Sequence, residues 1–269
     1  MNPCSFNLST SKQLQKYYHS FYTENCHAMF MNQIQNNPSN YHKARMLSIQ
    51  GEIGGLFLIA GPKKHFKFSR KEFLTAAWLR LGIPFKHFPS SYVCKCEDNR
   101  TFKSEAGIYA QHCFVCKKGN EKNKRHDTIR DIIIQLARHA NVTQVVREPR
   151  NLFATNYDED NNKNNQSRPD ILVKDMPFDN LKLKHRFFRD EIIDVAVTYP
   201  ATFNCIKNGS ASVQGSASNY IYTKKFNKYK KLIKYNNHNK PEYIIAPMIF
   251  EVFGFIHTES ESFLRRLIN

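Results

Sequence analysis

The sequence predicts an α/β (α+β) fold in which a sheet is flanked by helices, preceded by a metal-held knuckle and a helical N-terminal region. Three observations predict it. From residue 126 to residue 268 the hydrophobic pattern reads helix, three strands, helix, strand, helix, an order that packs helices onto a sheet. The run Glu191-Ile-Ile-Asp-Val-Ala-Val-Thr198 is β-branched and apolar enough for the centre of that sheet. Residues 92–124, by contrast, are rich in cysteine and lysine and poor in large apolar side chains, so a metal rather than a core has to hold them.

Residues 11–36 mix apolar and polar positions at a helical period, with Ser11 as N-cap and Asn36-Asn37-Pro38 as the stop. A second helix is expected near 40–49. A third runs from Ser69 to Leu81, where Ser69 and Glu72 have the spacing of a capping box and Gly82-Ile-Pro84 ends the turn. Between them, Gly54 to Pro62 is a short apolar segment bracketed by breakers, its type undecided. Beyond the knuckle, 126–140 returns to helix with Ile129, Ile132, Ile133, Leu136 and Ala137 on one face. Strands follow at 142–148, 168–174 and 191–198, the first two separated by a polar loop at 156–167. Residues 207–219 read as a small-residue loop, 220–235 as a lysine-rich helix, 243–253 as a strand and 258–268 as a closing helix. The expected units are 1–90, a helical region, 91–124, the knuckle, and 125–269, the sheet-containing domain.

Charge narrows the function. Forty Lys and Arg face 23 Asp and Glu, a net charge of +17, with pI about 9.6. Asn and Lys occur 26 times each, as A/T-rich coding would produce, but coding drift spreads lysines evenly. Here they bunch, at 117–125 and again at 224–234, which points to a polyanion such as nucleic acid. Mean hydropathy is −0.58 and no apolar run approaches the length of a membrane span. The first residues are polar and lead into no apolar stretch, so no secretory leader, no membrane association and an intracellular location are expected. Seven cysteines, an odd number, argue against a disulfide framework.

Four of those cysteines stand together. Zinc takes four N or S ligands as two close pairs separated by a loop. Cys94-x-Cys96 supplies the first pair, and either His112-x-x-x-Cys116 or Cys113-x-x-Cys116 the second. Four protein ligands close the shell and make such an ion structural. Lys117, Lys118, Lys124 and Arg125 beside it are expected to grip a nucleic-acid backbone.

A second constellation carries chemistry. Phosphodiester hydrolysis with Mg²⁺ or Mn²⁺ needs carboxylates converging on the metal and a cation near the phosphate. Arg168-Pro169-Asp170 places one acid at a strand's start, and Asp194 stands inside a neighbouring strand that is otherwise apolar. Strand alternation puts Asp194 and Ala196 on one face. Lysine often occupies that second position in metal nucleases, so the amine has to come from elsewhere. Lys225 and Lys228, three apart on the next helix, share a face and can supply it, with Lys224 and Lys231 as backbone contacts. Glu148 is a third acid available to the metal.

These motifs, in the order Cys-x-Cys, His-x-x-x-Cys, Arg125-His126, Arg147-Glu148-Pro149, Arg168-Pro169-Asp170, Ile193-Asp194-Val195 and Lys225-x-x-Lys228-Tyr229, resemble the restriction-like endonuclease region at the C-terminus of early-branching non-LTR retrotransposon reverse transcriptases. Phe73 to Pro84 resembles the helix before the zinc knuckle in such elements, and the likeness spans roughly 90–255. That region belongs to the PD-(D/E)xK nuclease superfamily, whose fold is a mixed central sheet flanked by helices. The resemblance implies catalytic Mg²⁺ on Asp170 and Asp194, Lys225 and Lys228 in place of the displaced lysine, and Tyr229 and Glu148 in support. It implies structural Zn²⁺ on Cys94, Cys96, His112 and Cys116, favouring His112 over Cys113. It also implies DNA as partner, retroelement RNA or a reverse transcriptase in trans as further partners, and a nuclear location. Against the nuclease stands a catalytically inactive, zinc-containing nucleic-acid-binding protein, which Ala196 in the usual lysine position favours.

Overall fold

The longest β-branched run in the chain becomes an inner strand of the sheet. The computed structural model describes residues 24–25, 28–29, 31–50, 69–83, 112–116, 118–142, 144–150, 152–153, 168–180, 185–233 and 243–268. Within them, β1 (Gln144–Arg147), β2 (Ile171–Asn180), β3 (His185–Thr198) and β4 (Ile244–Glu251) form one sheet in that order. β1 and β3 each pair antiparallel with β2, while β3 and β4 are parallel, so the sheet is mixed.

Helices follow the same logic of burying one face each. They are α1 (Asn40–Ile49), α2 (Arg70–Leu81), α3 (His112–Val115), α4 (Glu121–His139), α5 (Phe203–Lys207), α6 (Ser216–Lys230) and α7 (Thr258–Ile268). Strand alternation divides the core. Ile171, Val173, Ile193 and Val195 meet Ile133, Ile134 and Ala137 of α4 and Phe263 and Leu267 of α7. Leu172 and Ile192 point the other way, onto Ile233 just past α6. Each such fully buried aliphatic side chain contributes about 1.5–3 kcal/mol. At one end of the sheet Ala44 of α1 and Phe114 of α3 pack on Tyr199, Ala201 and Phe253. Arg45 of α1 also donates to the Arg80 carbonyl, tying α1 to α2.

Helices 40–49 and 70–81 form as the sequence predicts, the latter with both hydrogen bonds of the Ser69/Glu72 box. Four details differ. The helix expected from 126 begins at Glu121, so Lys122, Lys124 and Arg125 ride its first turns rather than the knuckle. Its buried face is Arg130, Ile133, Ile134 and Ala137, whereas Ile132 and Leu136 are exposed. Three consecutive isoleucines fit either face by periodicity, and packing on the sheet chose between them. The expected loop at 207–219 instead holds the start of α6 at Ser216, capped by Gly215 in the left-handed region (φ 74°), and a further short helix precedes it at α5. Strands β2 and β3 are longer than the pattern suggests. The segments at 54–62 and 156–167, and most of 11–36, lie outside the described residues. Among those described, no helix is long and apolar enough to cross a membrane.

Two buried acids tie helices to strands. Glu191, fully buried on β3, accepts both its 2.9 Å bonds from Arg266 of α7. Glu251, at the end of β4, accepts the Ser218 N–H at 3.0 Å and so caps the first turn of α6 from a distant strand. Burial pushes the Glu251 carboxyl up, and the hydrogen bonds from Ser48 and Ser218 offset this only in part. Burial raises Glu191 and Asp194 likewise, against the pull of Arg266 and Lys225. A carboxyl whose folded value is raised binds its proton more tightly folded than unfolded. Its stabilising contribution is complete below the unfolded carboxylate range and is lost as pH rises through the folded value. Thermal unfolding should therefore show Glu251→Gln with a flatter pH dependence than wild type between pH 5 and 8 and an equal or higher midpoint at pH 8. A lower midpoint at pH 8 would mean that the charge itself holds the fold.

Candidate active site

The site follows from strand register. β2 and β3 pair with Ile171 opposite Ile193 and Leu172 opposite Ile192, so one further step sets Asp170 opposite Asp194. Asp170 stays attached beyond the formal end of β2, its N–H donating to the Ile193 carbonyl at 3.0 Å. On its other side the Glu148 N–H donates to the Asp170 carbonyl at 2.8 Å. Glu148, Asp170 and Asp194 thus form a row across neighbouring strands, as the sequence anticipates.

The carboxyl groups of Asp170 and Asp194 are close enough that each shifts the other's protonation. Two negative charges that close coexist only with a proton or cations beside them. Burial, the largest influence on Asp170, pushes it up, but bonds from His126, Asp194 and the Val195 N–H outweigh this and leave it below the usual carboxylate range. Asp194, with 6% of its side chain exposed, is raised by burial that Lys225 only partly relieves. The pair is therefore polarised, Asp170 held toward its anion and Asp194 toward its protonated form.

Lys225 approaches from α6, its Nζ 2.8 Å from Asp194 Oδ2. It stands at ion-pair distance without the alignment of a hydrogen bond, and Oδ2 is buried with no hydrogen-bond partner among the described residues. One turn on, fully buried Tyr229 lies against Asp194, donates its hydroxyl to the Arg168 carbonyl at 3.1 Å and accepts from Lys228 Nζ at 3.2 Å. Burial, then the neighbouring carboxylates, raises the Tyr229 phenol. It is a proton donor that fixes the loop entering β2.

Glu148, which the sequence offers as a third acid for the metal, is paired with two arginines. Its φ of 46° ends β1, and its oxygens pair with Arg130 Nη1 at 2.7 Å and Arg168 Nη2 at 2.9 Å. Arg130, almost wholly buried, also meets Asp127 at 3.1 Å and Asp131 at 3.2 Å. Glu148 thereby clamps the Arg168-Pro169-Asp170 segment to α4. Sequence reasoning gave no role to Arg130, Arg168 or His126. For His126 and Arg130 the signal was their four-residue spacing to Ile134, two polar residues continuing an apolar stripe toward the N-terminus of α4.

Of the zinc candidates, Cys94 and Cys96 lie outside the described residues, as does Lys117. His112 is buried and Cys116, one turn later, half-buried, while Cys113 is exposed. The helix that carries them is stapled to the sheet end: Phe114 stacks on Tyr199 at 5.3 Å and meets Phe253 edge-on at 5.6 Å. Arg125, expected on DNA, donates to the Phe114 carbonyl at 2.7 Å and serves that staple. Lys124 pairs with Glu121 on the surface, and Lys118, Lys224 and Lys231 are exposed.

Comparison with known protein families, curated proteins and solved structures finds no match. Among the described residues no three His, Cys, Asp or Glu side chains form a ready metal cage. The acid pair is a two-carboxylate site, the kind that completes a magnesium shell with water and phosphate oxygens.

Replacing Arg130 with Met leaves Glu148, Asp127 and Asp131 without their shared cation and should cost about 2–3 kcal/mol in urea unfolding. Adding Glu148→Gln should recover part of the loss, because the orphaned carboxylate disappears. An unchanged urea midpoint for Arg130→Met would show that the clamp carries no stability.

Proposed function

We propose that this chain is a metal-dependent DNA endonuclease that hydrolyses phosphodiester bonds at the Asp170–Asp194 pair. The observation that carries the reading is convergence: two carboxyls on adjacent strands, near enough to shift each other's protonation, with the Lys225 amine 2.8 Å from one of them. The mixed sheet covered by helices on both faces, with its acids on neighbouring strands, supports a restriction-like fold of the PD-(D/E)xK type.

Mg²⁺ or Mn²⁺ fits the pair on the chemistry of its donors. Asp194 Oδ2 is a buried hard-oxygen donor balanced by the Lys225 ammonium at 2.8 Å, and Asp170 beside it is held toward its anion. A bound divalent ion supplies Lewis-acid stabilisation of the phosphate's developing charge and lowers the pKa of its water. Asp170 and Asp194 hold that ion. Lys225, partly exposed beside them, neutralises the incoming phosphate from the side of α6 and pulls Asp194 toward its ionised form against burial. Lys228 and Tyr229 hold the Arg168–Asp170 loop, and the exposed Lys224 and Lys231 extend the same basic helix along the nucleic-acid backbone. Lys225 answers the objection raised by Ala196, since the amine missing from the strand arrives from a helix. Zn²⁺ on Cys94, Cys96, His112 and Cys116 would brace the knuckle without reacting. DNA as substrate makes the nucleus the proposed location.

In a supercoiled-plasmid assay with Mg²⁺ or Mn²⁺, Asp170→Asn and Asp194→Asn should each reduce nicking on the order of a hundredfold or more. Lys225→Met should fall similarly, with DNA affinity in a gel shift changed less than about threefold. Nicking that survives both aspartate changes would overturn the site. A wild-type protein that shifts DNA in a salt-sensitive way but leaves plasmid intact at every ion concentration would establish the non-catalytic binding protein instead.

A further inference from the structure

We infer that His126 is a positioning residue for the metal-binding acids, orienting the Asp170 carboxylate so that one of its oxygens is presented to the ion. The inference rests on the nuclease reading in that a cation occupies the Asp170–Asp194 pair. His126 lies on the second turn of α4, with Nε2 3.0 Å from Asp170 Oδ2 and Nδ1 3.2 Å from Asp127 Oδ1. The Val195 N–H donates to the same Asp170 Oδ2 at 2.7 Å. Two donors therefore hold the same oxygen. The carboxylate cannot turn about its Cβ–Cγ bond without breaking both contacts, and Oδ1 is the oxygen that neither of these donors holds. Asp127 on the far side of the ring fixes the plane of the imidazole in turn. An outer partner that orients a ligand in this way typically governs metal affinity tenfold to a hundredfold.

A purely structural role would make His126 a staple between α4 and the sheet. That task is already covered by Arg130 with Glu148 and by Ile133, Ile134 and Ala137 in the core. His126 also keeps 28% of its side chain exposed, at the rim of the site and not beneath it.

Mn²⁺ binding to the whole chain, measured by calorimetry without DNA, separates the cases. His126→Ala should weaken the Asp194-dependent binding about tenfold, with little change in the thermal unfolding midpoint. His126→Gln, whose amide nitrogen reaches the position of Nε2, should return affinity to within about threefold of wild type, and His126→Asn, one bond shorter, should not. Half-saturation of nicking by Mn²⁺ should move by the same factor, with the rate at saturating ion near that of wild type. If His126→Ala binds Mn²⁺ as tightly as wild type while Asp194→Asn loses it, the inference fails and the nuclease reading stands. Should the alanine variant not fold, equal affinities for the glutamine and asparagine variants overturn it. Wild-type protein with no Mn²⁺ binding that Asp194→Asn removes overturns both.

Discussion

Everything at the candidate site hangs on the antiparallel register of β2 against β3. Because side chains alternate between faces with a period of two, a slip of one residue would turn Asp194 into the apolar layer that holds Ile193 and Val195. The register is fixed by the core itself: Ile171, Val173, Ile193 and Val195 bury on one side and Leu172 and Ile192 on the other. The hydrophobic effect, indifferent to chemistry, thereby sets two carboxyls face to face. Two carboxyls set this close repel one another unless a proton or a cation lies between them.

A division of labour follows. The sheet supplies the acids, and the helices supply the positive groups, from both faces: Arg130 and His126 from α4, Lys225 and Lys228 from α6. Short aspartates can be placed accurately by a backbone ladder. Long cationic side chains reach in from one layer away, keeping their stems packed and their heads at the charge. Glu148 joins the two systems, its backbone in the row of acids and its carboxylate among the arginines.

The sequence made much of this legible, for specific reasons. Asp194 stood out because a carboxylate inside Ile-Ile-Asp-Val-Ala-Val has no bland explanation, and Asp170 because proline marked a strand's edge. Lys225 was found by helical spacing, which is local. What could not be read was long-range: that α4 turns Arg130 rather than Ile132 inward, that Glu148 meets two arginines, and that Arg125 grips a carbonyl. Arg130 alone has a periodic trace, its four-residue spacing to Ile134; the other two depend on which elements become neighbours. Strand ends were misjudged for a similar reason, because ladder pairing resumes beyond the irregularity at Asp175 and Asp190 and extends β2 and β3 through Met176 to Asn180 and His185 to Arg189.

Carrying the amine on α6 and not on β3 has an evolutionary consequence. A lysine on the strand would share its backbone with Asp194, and any change there would touch the sheet. On a helix face the positive group can be gained, lost or moved by one turn, from Lys225 to Lys228, while the ladder beneath stays intact. A protein built on this plan can therefore change the charge beside its acids by substitutions on one helix, leaving the hydrogen-bond ladder of the sheet as it is.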